Sequence, residues 1–390
     1  MNFHKLTGLE LQQARYIWSQ SFENGARSIE EWDAWEARTP DGRTTYGVVT
    51  EAGLQAAIVL VDERVHYGEA ELPMSAVCGV GVLPASRGRG LAGSGLLACF
   101  ERMREGGFLL SYLEPFSWEF YGRLGYAWTA PTRKYVVPAR VLPPSPETER
   151  VRLAGPADHG AVEACYAALA RRYRGMMVRR PALWAWHFDA SPKHTTYTYI
   201  YEADGRTEGY VQMHGGSSVE TCLDELIALT PRARRGLLGL LRRHAMQTER
   251  FRWEAPADDP LWIALAHREL ETSLRSRLMA RIVDVEGALA ALSPPAGLAG
   301  ALTLQVIDAT APWNGGVRHV EVEGGSVAVS AGAGPAQVTL PVQALAQAYL
   351  GSPGLTELRA EGLVTVADDA AFALLASLLA GPPAWCCDRF

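Results

Sequence analysis

Hydrophobic positions between residues 77 and 126 predict a strand, a helix, a second strand and a short aromatic helix. Strand character is carried by Val77, Val80, Val82 and Leu83. Pro84 ends this strand because it has no N–H to donate to a sheet. One buried helix face is indicated by Leu96, Phe100 and Met103. The apolar run 108–113 is typical of a strand in the middle of a sheet, and residues 118–124 form the short helix that carries Tyr121.

Similar patterns along the rest of the chain predict a mixed α/β (α+β) protein of three domains. Helices are expected over 6–22 and 28–37, and a hairpin over 46–62. After residue 287 the composition shifts to Ala, Gly and Pro, with strands and helices predicted at 301–307, 316–322, 326–330, 341–349 and 370–380. The proline-rich stretch 137–146 is the first linker. The predicted domains are 1–137, 149–286 and 287–390.

The turn between the first strand and the helix has the composition of an anion-binding site. Its sequence is Arg87-Gly88-Arg89-Gly90-Leu91-Ala92-Gly93. Glycines let backbone N–H groups approach an anion closely, and a helix N-terminus adds partial positive charge. The two arginines supply full charges. The turn therefore predicts a pyrophosphate site, and the alternative is an arginine-rich turn without a ligand.

Two fingerprints fit this turn. The dinucleotide pattern G-x-G-x-x-G is satisfied by Gly88, Gly90 and Gly93. Glu114 lies about twenty residues further on, where this fingerprint has an acid. In a dinucleotide unit, however, the glycine turn follows its strand directly and opens the domain, whereas here residues 83–87 intervene. The coenzyme A pattern of the GCN5-related N-acetyltransferases (GNAT), R/Q-x-x-G-x-G/A, is satisfied by Arg87, Gly90 and Ala92. The surrounding strand, helix and strand favour the second fingerprint.

Residues 149–286 repeat this order of elements in a degenerate form. A hairpin is predicted over 195–214, and LDELIALTPRARRGLLGLL parallels the strand, turn and helix of the first domain. Only Gly236 stands where two glycines are needed for the backbone to approach a pyrophosphate. We therefore predict that this second copy binds no cofactor.

The net charge and the cysteine pattern limit the kinds of partner and the compartment that we expect for this chain. The formal net charge of −6 disfavours nucleic acid and is compatible with a cationic substrate, although solubility alone would explain it. No apolar run approaches the roughly 20 residues of a membrane helix, and the start of the chain lacks the apolar core of a signal peptide. The six cysteines show neither a CxxC pair nor metal-ligand spacing. We expect a reduced, cytoplasmic protein with no metal, nucleic-acid or membrane partner.

The whole chain resembles the enhanced-intracellular-survival (Eis) family of acetyltransferases within the GNAT superfamily. The most specific segments are VGVLPASRGRGL at 80–91 and FYGRLGY at 120–126, supported by Asp259-Pro260-Leu261 and an apolar tail ending in Phe390. The resemblance implies two tandem GNAT-type domains, the second degenerate, and a small sterol-carrier-like domain. It also implies acetyl-CoA as co-substrate, a homo-hexamer, and an amine acceptor of the aminoglycoside or lysine type.

Carried over by position, the resemblance implies that Tyr121 is the general acid and that the free carboxylate of Phe390 is the general base. The implied cofactor-binding residues are Val80, Gly81, Val82, Arg87, Gly88, Arg89, Gly90, Leu91, Ala92, Gly93, Phe116 and Ser117. Two departures weaken the aminoglycoside hypothesis: the loop 115–117 is bulkier than the family leads us to expect, and Arg389 places a cation beside the proposed base. Tyr121 as aromatic packing and Phe390 as a mere chain end are the alternatives.

An acetyltransferase is the main functional prediction. Its chemistry requires an amine that loses a proton and a thiolate that gains one, and a phenol with a pKa near ~10 suits the second task. The first alternative is a non-catalytic protein that keeps the fold and binds acyl-CoA or an apolar ligand; the intact loop 87–92 disfavours it. A nicotinamide-dependent oxidoreductase is a more distant alternative. The acidic residues of 28–37, among them Glu31 and Asp33, fit either a wall of the acceptor site or a solvated helix face.

Overall fold

The computed structural model describes residues 2–22, 32, 42–188, 196–214, 217–265, 267 and 269–389. The helix predicted over 28–37, with Glu31 and Asp33, lies outside these residues apart from Trp32, and so does Phe390. Within the described ranges the strands form three sheets.

The first 129 residues supply most of the first sheet. Their elements are β1 (Asn2–Lys5), α1 (Leu9–Ser21), β2 (Arg43–Thr50), β3 (Gly53–Tyr67), β4 (Ala70–Val82), α2 (Leu91–Glu105), β5 (Leu110–Leu113), α3 (Trp118–Gly122) and β6 (Ala127–Thr129). Strands β1 to β4 are antiparallel neighbours, whereas β4 and β5 run parallel because α2 crosses between them. The predicted hairpin and the strand–helix–strand unit are confirmed.

The middle of the chain builds the second sheet. Its elements are β7 (Thr132–Pro138), β8 (Val151–Leu153), α4 (His159–Ala170), β9 (Arg174–Met177), α5 (Pro181–Phe188), β10 (Thr196–Ala203), β11 (Arg206–His214), β12 (Glu220–Ala228), α6 (Pro231–Arg243), β13 (Arg250–Pro256), α7 (Leu261–Ala264), β14 (Glu271–Arg275) and β15 (Leu278–Ile282). The strand order is β14-β7-β13-β12-β11-β10-β8. The predicted hairpin is β10 and β11, and β12, α6 and β13 repeat the unit formed by β4, α2 and β5.

The two sheets exchange strands. β7 comes from the first part of the chain but pairs with β13 and β14 of the second sheet. β15 inserts between β5 and β6 of the first sheet, and β9 pairs with β3. Arg281 on β15 is fully buried, and its guanidinium lies 2.6 Å from the Asp308 carboxylate. Neither sheet is complete without strands from the other half.

The last hundred residues form a small third sheet flanked by helices. Their elements are α8 (Val285–Ala290), β16 (Gly300–Ile307), β17 (Gly316–Glu323), β18 (Ser326–Ala331), β19 (Val338–Pro341), α9 (Val342–Leu350), α10 (Leu355–Ala360), β20 (Thr365–Val366) and α11 (Asp369–Leu379). The sheet order is β18-β17-β16-β19-β20. The strands and helices predicted here are confirmed to within one or two residues.

Helix α9 joins the third region to the first sheet. Most of its residues are buried, so the helix packs on several sides at once. The hydroxyl of Tyr67 donates a 2.7 Å hydrogen bond to the carbonyl oxygen of Tyr349, and the Gln347 amide donates to the carbonyl of Trp128 at 3.0 Å. The apolar residues of the third region and of the first sheet consequently share one core.

The C-terminal tail docks into the molecule, as its apolar composition predicts. The amide N–H of Trp385 donates to the carbonyl of Arg174 at 3.0 Å, and the Arg174 guanidinium donates to the carbonyls of Leu379 and Ala380 at 2.7 Å each. Trp385 is 3% exposed and belongs to a cluster with residues of α4 and the second sheet. The helices in the described ranges all fall short of the length and apolar character needed to cross a membrane.

Candidate active site

A cleft opens where β4 and β5 part. The two strands pair only at Met74–Leu110, Ser75–Ser111 and Ala76–Tyr112, after which β4 continues to Val82 while β5 ends at Leu113. Among the strands of the described residues, none pairs with the backbone of β4 on the side that faces this gap, and backbone polar groups require partners. Val80 and Val82 lie on the part of β4 that borders the gap.

An extra residue bends β4 beside the cleft. Pairing with β3 passes from Val59–Cys78 to Ala57–Gly81, so β4 carries one residue more than its partner. Gly79 in this bulge has φ of +55°, which favours glycine. Its carbonyl oxygen accepts a 2.6 Å hydrogen bond from Nε1 of the buried Trp18 on α1.

Gly81 lets α1 approach the bulge closely. A Cβ at this position would lie 3.0 Å from the Trp18 ring and 3.1 Å from Ile17. Side chains of α1 therefore occupy the space that a side chain at position 81 would need. The sequence places Trp18 on the buried side of the first helix, but a local pattern gives no link to a strand about sixty residues away.

The turn 87–93 leaves the N-terminus of α2 open. Gly88 and Gly90 both have φ of +76°, and a Cβ at Gly88, Gly90 or Gly93 would have no heavy atom within 4 Å. Within the described residues, no side chain caps the helix at Gly90. The first N–H groups of an α-helix lack intrahelical partners, so this end presents donors to an anion. Leu91 is buried at the base of the turn, whereas Arg87 and Arg89 are exposed.

Arg87 links the turn to its surroundings. Its Nε donates to the carbonyl of Val82 and its Nη2 to the carbonyl of Gln20, both at 3.3 Å. The guanidinium therefore connects the end of β4 with the end of α1, at the same edge as the bulge. Ser86 in the same segment donates to the side chain of Gln55 at 2.6 Å, which fixes the start of the turn.

The second copy of this unit has a closed helix N-terminus. Thr230 caps α6 by accepting a 3.2 Å hydrogen bond from the N–H of Ala233, and Pro231 at the first helical position has no N–H. The Glu208 carboxylate accepts from the Thr230 hydroxyl at 2.7 Å. A Cβ at Gly236 would lie 2.6 Å from the Tyr201 ring, so this glycine serves close packing. An internal carboxylate and a capping hydroxyl thus occupy the end that is open in the first copy.

Tyr121 lies where the two strands part. It sits on α3, directly after β5, and packs in a cluster that includes Val77 of β4 and Leu113 of β5. The side chain is 3% exposed. Burial, and to a smaller extent the neighbouring Cys78, raise the pKa of Tyr121 well above its ordinary value. The phenol is therefore protonated throughout the neutral pH range, so it can give up a proton in a reaction but is not available as a base.

Aromatic side chains surround this phenol. Phe116 meets the Tyr121 ring edge-on at 5.4 Å between centroids, while Phe120 and Tyr126 lie 5.0 and 6.0 Å away. Phe116 itself is 73% exposed, at the mouth of the loop that joins β5 to α3. Ser117 caps α3 by accepting from the N–H of Phe120 at 3.2 Å, which orients the helix.

The end of the tail lies beside the loop that carries these residues. Nη2 of Arg277 donates to the carbonyl of Asp388 at 3.0 Å, and Nε of the same guanidinium lies 3.5 Å from the carboxylate of Glu114. Glu114 directly follows β5. Arg277 thus brings the described end of the tail to the β5–α3 loop, while Phe390 lies outside the described residues.

Known proteins share both the sequence families and the fold of this chain. Residues 2–129 and 175–282 each match an acetyltransferase (GNAT) domain family, and residues 285–387 match a sterol carrier protein domain. An uncharacterized N-acetyltransferase of Streptomyces avermitilis is 28% identical over 365 residues, which are 88% of each chain. A GCN5-related N-acetyltransferase from Anabaena variabilis has the same fold, with a TM-score of 0.89 at 21% identity over all of both chains. Eis1 from Mycobacterium abscessus also covers both chains fully, with a TM-score of 0.80 at 22% identity.

The chain therefore contains two GNAT acetyltransferase domains and a sterol carrier protein domain, and it is an acetyltransferase. Its two GNAT domains and its sterol-carrier-like domain confirm the architecture predicted from the Eis family. GNAT domains use acetyl-CoA, and the open turn of the first copy has the donors and the space that a pyrophosphate requires. Among the described residues no cluster of three or more His, Cys, Asp or Glu side chains could hold a metal ion.

Proposed function

We propose that this enzyme transfers the acetyl group of acetyl-CoA directly to an amine in the cleft between β4 and β5. The observation that carries the proposal is the contrast between the two copies of the unit. The first copy has an uncapped helix N-terminus with open glycines beside a gap in the sheet, whereas the second copy caps its own helix with Thr230. An anionic ligand finds free donors only at the first.

Each part of coenzyme A has a candidate partner in this cleft. Residues 87–93 hold the pyrophosphate, and the backbone of residues 80–82 pairs with the amides of pantetheine. Phe116 and Ser117 flank the thioester from the β5–α3 loop. The exposed Phe116 ring on the loop after β5 and the open turn after β4 support this order.

The transfer requires two proton movements. The neutral amine attacks the thioester carbonyl, the carbon–sulfur bond of the tetrahedral intermediate breaks, and the leaving thiolate takes a proton from the Tyr121 hydroxyl. The proton lost by the nitrogen passes to the Phe390 carboxylate, directly or through a water. The location of Tyr121 at the strand separation supports the first assignment, and the tail at Glu114 supports the second.

A covalent acetyl-cysteine step is disfavoured by the thiol beside the cleft. Cys78 is 8% exposed, and burial raises its pKa to about 12. A thiol that is neutral at pH 7 is a poor nucleophile, because the thiolate is the reactive form. Direct attack by the amine is therefore the simpler route.

The acceptor is a small-molecule or peptide amine, aminoglycoside-like or of the lysine type. The chain assembles as a homo-hexamer in the cytoplasm, a hypothesis that rests on resemblance to the Eis family. Light scattering would test the hexamer by measuring the molar mass in solution. The alternative function, a protein that binds acyl-CoA without turning it over, keeps the same cleft and differs only in the chemistry at Tyr121.

The substitution Gly90→Asp tests the cofactor site. It places a carboxylate where phosphate oxygens would bind, so we expect loss of acetyl-CoA binding and of thiol release in a folded protein. Gly107→Asp is the matched control, because Gly107 has the same φ of +76° and the same open surroundings at the other end of α2. Both variants carry the same backbone strain.

Calorimetry with acetyl-CoA and an assay of thiol release with a panel of amines give separate answers. Unchanged acetyl-CoA affinity in Gly90→Asp would refute the cofactor site. Tight acetyl-CoA binding by the wild type without thiol release for any amine would instead favour the non-catalytic alternative.

A further inference from the structure

The second GNAT copy keeps the same gap between parallel strands as the first. β12 and β13 pair only at Glu220–Arg250, Thr221–Phe251 and Cys222–Arg252, after which β12 continues to Ala228. β12 also carries one extra residue against β11 between Leu223 and Glu225, as β4 does against β3. The strand geometry that admits a ligand is therefore present in both copies, although only the first has an open turn.

A cavity of about 210 Å³ occupies this gap. Most of its wall is apolar, and the main contributors are Leu169, Leu226, Trp253, Leu261 and Trp385. Protein interiors contain few voids larger than a water molecule, and an apolar cavity of ~150 Å³ accommodates benzene. The space in the second copy suits a ring or a short chain.

Two arginines line the same cavity. Arg172 and Arg234 form no ion pair with any described carboxylate. The one acid on the wall, Asp259, already accepts hydrogen bonds from the N–H of Leu261 at 2.8 Å and from the Tyr135 hydroxyl at 3.1 Å. The unpaired charge that faces a ligand is therefore positive.

We propose that the second copy binds a small monocarboxylate with an apolar body, such as an aryl or short alkyl acid. The apolar body fills the space between Trp253 and Trp385, and the carboxylate pairs with Arg234 and Arg172. Coenzyme A does not fit this site, because Thr230 and Pro231 close the helix end that would receive the pyrophosphate. The site is distinct from the acetyl-transfer cleft, so the proposal stands apart from the function proposed above.

The C-terminal tail contributes to this site. The Trp385 side chain lines the cavity, and the backbone N–H of the same residue donates to the carbonyl of Arg174 just beyond α4. The same tail runs on to the Arg277 contact beside the β5–α3 loop. A ligand that packs against Trp385 consequently contacts the segment that ends near the catalytic cleft.

Calorimetry with full-length protein tests the site, with phenylacetate and hexanoate as probes and phenylacetamide as the neutral counterpart. We expect one acid to bind per chain, the amide to bind at least about tenfold more weakly, and saturating acetyl-CoA to leave the affinity for the acid unchanged. Tryptophan fluorescence should report the same binding, because two tryptophans line the cavity.

Three variants locate the binding. Arg234→Gln should weaken the acid about tenfold and leave the amide unaffected, and Ala228→Leu should abolish binding by filling the cavity. Arg235→Gln, at the next and exposed position of α6, is the matched control and should bind as the wild type does. The proposal would be overturned if neither acid binds with a Kd below about 10 mM, or if the amide binds as tightly as the acid. It would also be overturned if acetyl-CoA displaces the acid, or if Arg235→Gln loses as much affinity for the acid as Arg234→Gln does.

Discussion

At the scale of single residues, the proposed chemistry depends on a phenol that its neighbours keep out of water. Three aromatic rings lie within 6.0 Å of the Tyr121 ring, centroid to centroid. Their packing raises the pKa of Tyr121, since the phenolate would be poorly solvated there. The Cys78 thiol lies close enough to this phenol to raise its pKa a little further.

Tyr121→Phe removes only this hydroxyl. Acetyl-CoA binding should persist, because the rings and the turn are unchanged, whereas turnover should fall by ~10²–10⁴, the usual contribution of a general acid. Steady-state kinetics together with calorimetry would measure both quantities.

The matched control is Tyr126→Phe, which deletes a neighbouring phenol that shares a 2.7 Å hydrogen bond with Ser111 inside the core. That variant should lose stability but keep its turnover. Equal losses of turnover in the two variants would mean that Tyr121 acts only through packing.

At the scale of elements, the cleft depends on how α1 seats against the bulge in β4. The hydrogen bond from Trp18 to Gly79 and the close approach at Gly81 hold the strand in its bent course. A straight β4 would continue its pairing with β5 and close the gap. Helix α1 is therefore a structural requirement of the cofactor site.

Trp18→Phe should weaken this arrangement. It leaves the Gly79 carbonyl without its partner, and a buried unsatisfied group costs about 1–3 kcal/mol. We expect a lower melting temperature and weaker acetyl-CoA binding. Trp313→Phe provides the comparison, because Trp313 donates a similar 2.8 Å hydrogen bond to the carbonyl of Val283. A comparable loss of acetyl-CoA affinity in Trp313→Phe would contradict a specific role of α1.

The elements also show what the sequence could and could not predict. The turn 87–93 and helix α2 follow from local spacing, and both are present as expected. The degenerate turn before α6 could be predicted from local sequence in the same way, because Pro231 and the lone Gly236 can be identified without a structure. The exchange of β7 and β15 could not be predicted, because nothing in a strand of seven or five residues specifies which sheet it joins.

For single residues of the site, too, local sequence patterns could be read in advance and tertiary contacts could not. Tyr121 could be proposed from the sequence because it lies in a contiguous motif, and its role as general acid stays a prediction. Trp18 was placed on the buried side of a helix, but its bond to Gly79 joins positions that only the tertiary fold brings together. The buried Arg281 was missed for the same reason, since its partner Asp308 belongs to the third region. The role of Phe390 remains a prediction.

At the scale of the whole molecule, the tail connects all three regions through a buried ionic cluster. The Asp388 carboxylate lies 2.8 Å from the guanidinium of Arg179 and accepts a 3.0 Å hydrogen bond from Tyr166. Arg179 also pairs with Glu225 of β12, and both charged side chains are almost fully buried. The chain thus passes from the third region through the second sheet toward the first.

Asp388→Asn should release this tail. Burial alone would raise the pKa of Asp388, but the charge of Arg179 and the adjacent His187 ring hold it well below its usual range. A carboxylate with a lowered pKa stabilises the fold above its unfolded pKa of about 3.9, and that contribution is lost as pH falls further. We expect a loss of about 3–5 kcal/mol at pH 7, because the substitution leaves Arg179 short of a partner.

Unfolding followed at several pH values would check this prediction. The difference between wild type and Asp388→Asn should shrink below about pH 4, where Asp388 takes up a proton in the unfolded chain but stays ionised in the folded one. Asp369→Asn breaks the exposed pair with Arg359 and should cost at most about 1 kcal/mol. A pH-independent difference between wild type and Asp388→Asn would argue against the ionic cluster as its source.

The tail leads to the last prediction, which concerns the chain end itself. Arg277 donates hydrogen bonds to the carbonyl oxygens of Cys387 and Asp388 at 3.3 and 3.0 Å and lies beside Glu114 in the loop before Tyr121.

If the Phe390 carboxylate is the base, two residues appended after Phe390 should lower turnover by about 10² or more without changing acetyl-CoA affinity. Phe390→Ala should matter less, since it keeps a terminal carboxylate, and the same two residues at the N-terminus should have no effect. The acidic limb of the pH–rate profile reports the base, so it should disappear in the extended protein. Full activity of the extended protein would transfer the role of the base to a water held by acids of the 28–37 segment, such as Glu31 or Asp33.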